Sequence, residues 1–159
     1  MKMNWKKNGG IEMNQQSKIY WDEYWGEREK PKSVSAWQFG AIPDELAQLV
    51  IEGKKTATCS GLIFYEKENE PLPTTKDYSI ILNSKDQPLA IIKTTEVSIM
   101  PMNEVSEDFA VAEGEGTYEE WKEAHVNFFT RELKKINLEF SEEMLLVCER
   151  FKVVDVKEG

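Results

Sequence analysis

A run in the first half of the chain, Gly53-Lys54-Lys55-Thr56-Ala57-Thr58-Cys59-Ser60-Gly61, gathers amines, hydroxyls and a thiol where an apolar helix gives way to an extended segment. A threonine hydroxyl is a weak nucleophile until a base takes its proton, and a lysine serves as that base when burial or a neighbouring cation lowers its pKa. Lys55 has such a neighbour in Lys54, which makes Lys55 the candidate base and Thr58 the candidate nucleophile. In an extended segment Thr56 and Thr58 share one face and Lys55 and Ala57 the other, so a bend at the helix exit is needed to bring the lysine to Thr58. A carboxylate is also needed, to orient the amine or to pass a proton to a leaving group. Glu113 and Glu115, in Ala112-Glu113-Gly114-Glu115-Gly116, are the candidates, because flanking glycines let their loop approach a site closely. Against this stands a plainer reading, in which Lys54 and Lys55 only complement the dipole of the helix they follow. Cys59 is a weaker candidate nucleophile, since a cysteine within a strand is usually buried and inert.

The elements that must position these groups follow from periodicity and punctuation. Ser17 to Arg28 predicts a first helix with Ser17 as N-cap, its aromatics packing on a core or serving as a lid rather than forming a base-stacking platform. Ala36-Trp37-Gln38-Phe39-Gly40 is an aromatic pair ending in glycine. Ile42 to Glu52 predicts a second helix, with Pro43 in the first turn, Asp44 and Glu45 at its positive end, and Gly53 just past its end. Gly61 onward, through Glu66 to Thr75, reads as a surface loop carrying Pro71 and Pro73. Tyr78 to Leu82 and Pro88 to about Ile99 read as an antiparallel hairpin around Asn83-Ser84-Lys85-Asp86. Glu104 to Gly116 is acidic and glycine-broken. Thr117 and Glu120 have capping-box spacing and open a third helix, whose apolar face carries Trp121, His125, Phe128, Phe129 and Leu133. On that face His125 reads as a hydrogen-bonded core residue. Leu145 to Val154 is a last strand. The fold class is α+β: a small, mostly antiparallel sheet or barrel surrounded by about three helices.

The totals bound the function. At 159 residues with 40% hydrophobic content, the chain suits one domain over residues 15–159. Residues 1–14 read as a flexible basic arm, or as a segment upstream of a true start at Met13. Gly9-Gly10 can be encoded as a purine-rich ribosome-binding site placed before that methionine. No apolar run is long enough to cross a bilayer, and no apolar stretch follows the N-terminal lysines, so neither a membrane nor secretion is expected. Cys59 and Cys148 fit no zinc or redox spacing, which leaves a reduced, cytoplasmic compartment as the expectation. A net charge of -9 argues against gripping a DNA duplex by phosphate neutralisation, but leaves room for a nucleoside, a nucleotide or one RNA element. With one histidine and no repeated ligand pattern, neither a metal nor another cofactor is expected.

The Gly-Lys-Lys-Thr-Ala-Thr core, preceded by an apolar helix and followed by the Tyr-Ser-Ile-Ile-Leu hairpin, resembles the signature of the ASCH domain family. Together with Ala36 to Gly40 and Ala112 to Gly116 it is similar especially to the bacterial YhfF-like branch, over about Trp37 to Val154. The resemblance implies a PUA-like β-barrel, a cleft lined by that core, and an RNA- or nucleotide-related role. A small bacterial branch of the family looks like amidohydrolases that remove the acetyl group of N4-acetylcytidine. By that likeness Lys55 would activate Thr58 for attack on the amide, Glu113 would assist departure of the amine, and Trp37, Phe39, Lys54, Thr56 and Glu115 would contact substrate. One departure is Ser60, which stands where such members carry an arginine that would contact an anion.

Three roles remain open at this point. The first is hydrolysis of an acylated nucleobase. The second is a non-catalytic module, or an RNA-cleaving one such as other family members resemble, that binds RNA or a nucleotide, with Lys54 and Lys55 on phosphate and Trp37 or Trp121 stacking on a base. The third is a protein-interaction domain. The sequence does not fix the oligomeric state.

Overall fold

The computed structural model of the chain describes residues 13–158, so the expected basic arm lies almost wholly outside the described residues. Its elements, in order, are α1 (Gln15–Trp25), β1 (Val34–Gln38), α2 (Pro43–Ile51), β2 (Ala57–Gly61), α3 (Leu62–Lys67), β3 (Tyr78–Leu82), β4 (Pro88–Pro101), α4 (Glu107–Ala112), α5 (Tyr118–Lys134) and β5 (Leu145–Val156). The five strands form one sheet in the order β1-β3-β4-β5-β2. The β1–β3 pairing is parallel and every other pairing is antiparallel. Register breaks in the β4–β5 ladder, at Ile91/Ile92 and Thr94/Glu96, bend and twist the long strand. The sheet curls into a half-barrel and does not close.

Period-two alternation sorts the sheet into two faces. Ile80, Leu82 and Ile91 face α1, where Tyr20 and Trp21 cover them. Trp37, Ile81, Ile92 and Phe151 face the other way and pack on Leu46, Ala47 and Val50 of α2. A third cluster joins Ala57, Cys59, Leu146 and Cys148 of the β2–β5 ladder to Phe109 of α4 and to Trp121, Phe128, Phe129 and Leu133 of α5. The concave face that carries Trp37 and Ile81 continues through Ser35, Ser79, Thr94, Glu149, Thr58 and Ser60, and there its character becomes polar.

Several boundaries differ from expectation for local reasons. Asn14, not Ser17, caps α1: its side chain accepts a hydrogen bond from Ser17 N at 2.8 Å, and Ser17 is buried inside the helix. Among the described residues there are five α-helices where about three helices were expected. α3 is only six residues and offers no periodicity. α4, also six, is capped by Ser106, whose hydroxyl accepts from Phe109 N, within a stretch whose charge reads as loop. The capping box of Thr117 and Glu120 is present, and Pro43 opens α2. No described helix is long and apolar enough to cross a membrane.

Candidate functional site

The chain brings Lys55 and Glu113 together but separates them from Thr58. After α2, Gly53 takes φ +77° and the backbone turns, with Lys54 N and Lys55 N both donating to Leu49 O. Thr56 N then donates to Ala112 O at 2.7 Å, which ties the entrance of β2 to the end of α4. Gly114 completes this contact. It has φ +75°, and a Cβ there would lie 2.8 Å from Lys54 O, so only glycine allows the two backbones to meet.

That contact buries a carboxylate and an ammonium completely. Lys55 Nζ lies 3.2 Å from Glu113 Oε1, 3.1 Å from the Glu113 carbonyl oxygen and 3.8 Å from Glu115 Oε2. It also stands 5.1 Å from the centre of the Phe39 ring. The other carboxylate oxygen, Glu113 Oε2, accepts from Trp121 Nε1 at 2.7 Å and faces His125 Nε2 at 3.3 Å. Lys55, Glu113 and His125 are each 0% exposed. Burial pushes the Glu113 carboxyl up, but the attraction of Lys55, and after it His125, outweighs burial and holds it well below the usual carboxylate range. Beside it, burial and then the Glu113 charge push the Cys59 thiol well above its ordinary value. An unactivated thiol in a dry core is a poor nucleophile.

Thr58 belongs to the other face. Ala57 and Cys59 pack with Trp121, so the intervening Thr58 points oppositely, toward the concave side, where its cross-strand partner is Glu149. The Thr58 hydroxyl is buried and has no hydrogen-bond partner, so Lys55 does not touch it. Next to it, Glu149 Oε1 accepts from Thr94 Oγ1 at 3.3 Å, and Ser60 Oγ donates to Tyr65 OH at 3.1 Å. Glu149, Tyr65, Ser35 and Ser79 line a cavity of ≈ 390 Å³, which Leu72 and Lys76 of the α3–β3 connection also border. That volume is within the range of small-molecule sites.

The remaining expected contact residues fall elsewhere. Trp37 and Phe39 are buried edge to face, with centroids 4.9 Å apart, and present no free ring to a base. Trp121 is equally buried and stacks on His125 at 4.4 Å. Lys54 is exposed and pairs with Glu52 at 3.3 Å, and Thr56 contributes main-chain hydrogen bonds from an exposed position. Glu115 stands at the edge of the Lys55 cluster. Sequence reasoning missed Glu149, Thr94 and Tyr65. A glutamate set between Cys148 and Phe151 in an apolar strand was the available signal, because an inward charge in a strand demands a reason.

The curled sheet, α2 closing its apolar end and a polar hollow at the other define an α+β protein of PUA-like architecture. The chain belongs to the ASCH domain family, whose model matches residues 35–155. The ASCH domain of Lactobacillus crispatus JV V101 is similar at 37% identity and a TM-score of 0.84, over 93% of this chain and 98% of that one. The protein EF3133 of Enterococcus faecalis V583 is similar at 44% identity and a TM-score of 0.81, over 91% and 96%. Among curated proteins there is no significant match.

Proposed function

We propose that the concave cavity binds a nucleoside, or one unpaired nucleotide of an RNA, with Glu149 and Thr94 reading the polar edge of the base. The observation that carries this reading is the polar floor itself: Glu149 at 3% exposure and Ser79 line the hollow, with Thr94 hydrogen-bonded to Glu149 and the unpartnered hydroxyl of Thr58 paired across the ladder from it. A carboxylate suits an exocyclic amino group such as that of cytosine, and unpaired bases are the ones a protein can enclose in this way. The net charge of -9 favours a small ligand over a long polyanion. Phosphate contact would fall to Lys76, exposed at the border of the hollow, because Lys55 is fully buried. Free thiols at Cys59 and Cys148 suit a reducing cytoplasm.

Calorimetric titration with cytidine, uridine, adenosine and a short single-stranded RNA tests the reading. Glu149→Gln is expected to weaken binding at least tenfold, since a hydrogen bond to a charged group contributes ~1.5–3 kcal/mol. No heat from any of the four at millimolar concentration would overturn it.

The orphaned Thr58 hydroxyl favours a second reading, hydrolysis of an acylated base such as N4-acetylcytidine. Lys55 would first pass its proton to Glu113; as a neutral amine it would take the Thr58 proton while Thr58 attacks the amide carbonyl, Glu113 would protonate the departing amine, and water would then hydrolyse the acyl-threonine. This requires the Lys55 amine to leave Glu113 and reach across to the other face of β2. Mass spectrometry of N4-acetylcytidine incubated with wild type and Thr58→Ala tests it: turnover by wild type alone supports the nucleophile, and equal turnover removes it.

A further inference from the structure

The cluster behind β2 has a second chemical property besides its ion pair. Sγ of Cys59, a carboxylate oxygen of Glu113 and a ring nitrogen of His125 all lie within 4.8 Å of one another, and all three residues are buried. His125 Nδ1 lies 2.8 Å from the main-chain oxygen of Trp121, which can only accept, so Nδ1 carries the proton. This leaves Nε2 aimed into the cluster with no hydrogen-bond partner of good geometry, facing Glu113 Oε2 at 3.3 Å and Glu115 Oε2 at 3.9 Å. Either a second proton on the ring or a metal cation must lie between that nitrogen and the two carboxylates.

We infer that Cys59, Glu113, His125 and Glu115 form a binding site for one divalent transition metal of the zinc type. Sulfur, imidazole and carboxylate are all zinc ligands, and bonds of ~2.0–2.3 Å place tetrahedral ligands ~3.3–3.8 Å apart; the two nitrogen–oxygen distances lie within 0.1 Å of that range, and the thiol, within 4.8 Å of its partners, draws in on metal uptake. The surroundings are those of a metal ligand shell. The Trp121 carbonyl fixes the His125 tautomer, and the Trp121 indole donates to the ligating oxygen of Glu113. Lys55 occupies the other oxygen, Oε1, and leaves Oε2 to the metal.

Charge agrees with this assignment. One lysine against two glutamates leaves a buried excess of one negative charge while His125 is neutral. Metal uptake forms the sulfur–metal bond as the Cys59 thiol releases its proton to solvent, and the cluster becomes neutral. A doubly protonated His125 would achieve the same neutrality without metal, and it is the competing state. Because the site is closed, the metal enters as the chain folds.

The experiment refolds the full chain with zinc or cobalt, removes excess metal by gel filtration, and measures metal content and the cobalt–thiolate absorption in the near ultraviolet. Wild type and Cys148→Ser are expected to hold one metal per chain and to show the band. Cys59→Ser and His125→Gln are expected to lose the band and to weaken zinc binding more than ~100-fold, beyond the effect of losing an outer partner. Wild type without stoichiometric metal and without the band would overturn the inference whether or not the variants fold. A band that survives Cys59→Ser would do so equally.

Discussion

Removing the ammonium of Lys55 while keeping its bulk, as in Lys55→Met, isolates the buried ion pair. Its Nζ sits 3.2 Å from Glu113 Oε1, and neither side chain is exposed to water. Stripping one partner from such a pair leaves an uncompensated buried charge at a cost of ~3–5 kcal/mol. Trp121 and His125 still face the carboxylate, which puts the expected loss at the lower end, ~3 kcal/mol. For a chain of 159 residues this corresponds to a fall in Tm of roughly 6–12 °C. Adding Glu113→Gln to Lys55→Met removes the stranded charge and keeps an oxygen for Trp121, so the double variant is expected to recover ~2 kcal/mol or more relative to additivity. The assay is urea unfolding of wild type, both single variants and the double variant, with EDTA present so that the ion pair alone is measured. A loss below ~1 kcal/mol in Lys55→Met, or additivity within ~0.5 kcal/mol, would refute the reasoning.

Three other outcomes follow from the same geometry. Gly114→Ala forces a side chain into a left-handed conformation and against Lys54 O, and is expected to cost ~2–3 kcal/mol; a melting temperature equal to wild type would contradict the close approach. Thr117→Ala removes one half of the α5 capping box and is expected to cost ~1 kcal/mol in chemical unfolding, and a neutral result would mean the cap contributes nothing. Burial pushes the Cys148 thiol up from 9.0 to about 12, so it stays protonated in the folded chain while the unfolded chain ionises. The stability this gives is intact below pH 9 and is lost between pH 9 and about 12, at ~1.4 kcal/mol per pH unit. Cys148→Ala should therefore show a flatter alkaline decline than wild type, and an identical slope would count against the assignment.

The hairpin of β3 and β4, the capping box, α2 with its proline and the last strand were legible because each depends on local periodicity or a local hydrogen bond. β1 was not read as a strand, because its pairing is parallel to a segment some forty residues further on and no nearby residue specifies it. α3 and α4 are too short for a helical period to emerge. At the site, the glycine-flanked loop did reach the lysine, since Gly114 adopts a positive φ and has no Cβ to hold the two backbones apart. The side of β2 on which Thr58 falls depends on one residue of phase, and the proposed bend at the helix exit does not bring Lys55 round to it. Trp37 and Phe39 were expected to meet a ligand and instead meet α2, whose apolar stripe needed a partner of that size. Glu149 escaped notice because its meaning comes only from its neighbours across two ladders, Thr58 and Thr94.

The central claim is that the ligand meets the hollow beside Glu149 and not the Lys55–Glu113 cluster on the other side of β2. Amide chemical-shift mapping of the labelled protein during titration with cytidine tests it most directly. The account predicts that the largest shifts fall on Ser35, Ser79, Thr94 and Glu149, with Lys55 and Glu113 little affected. Shifts centred on Lys55 and Glu113, or none at saturating cytidine, would contradict it.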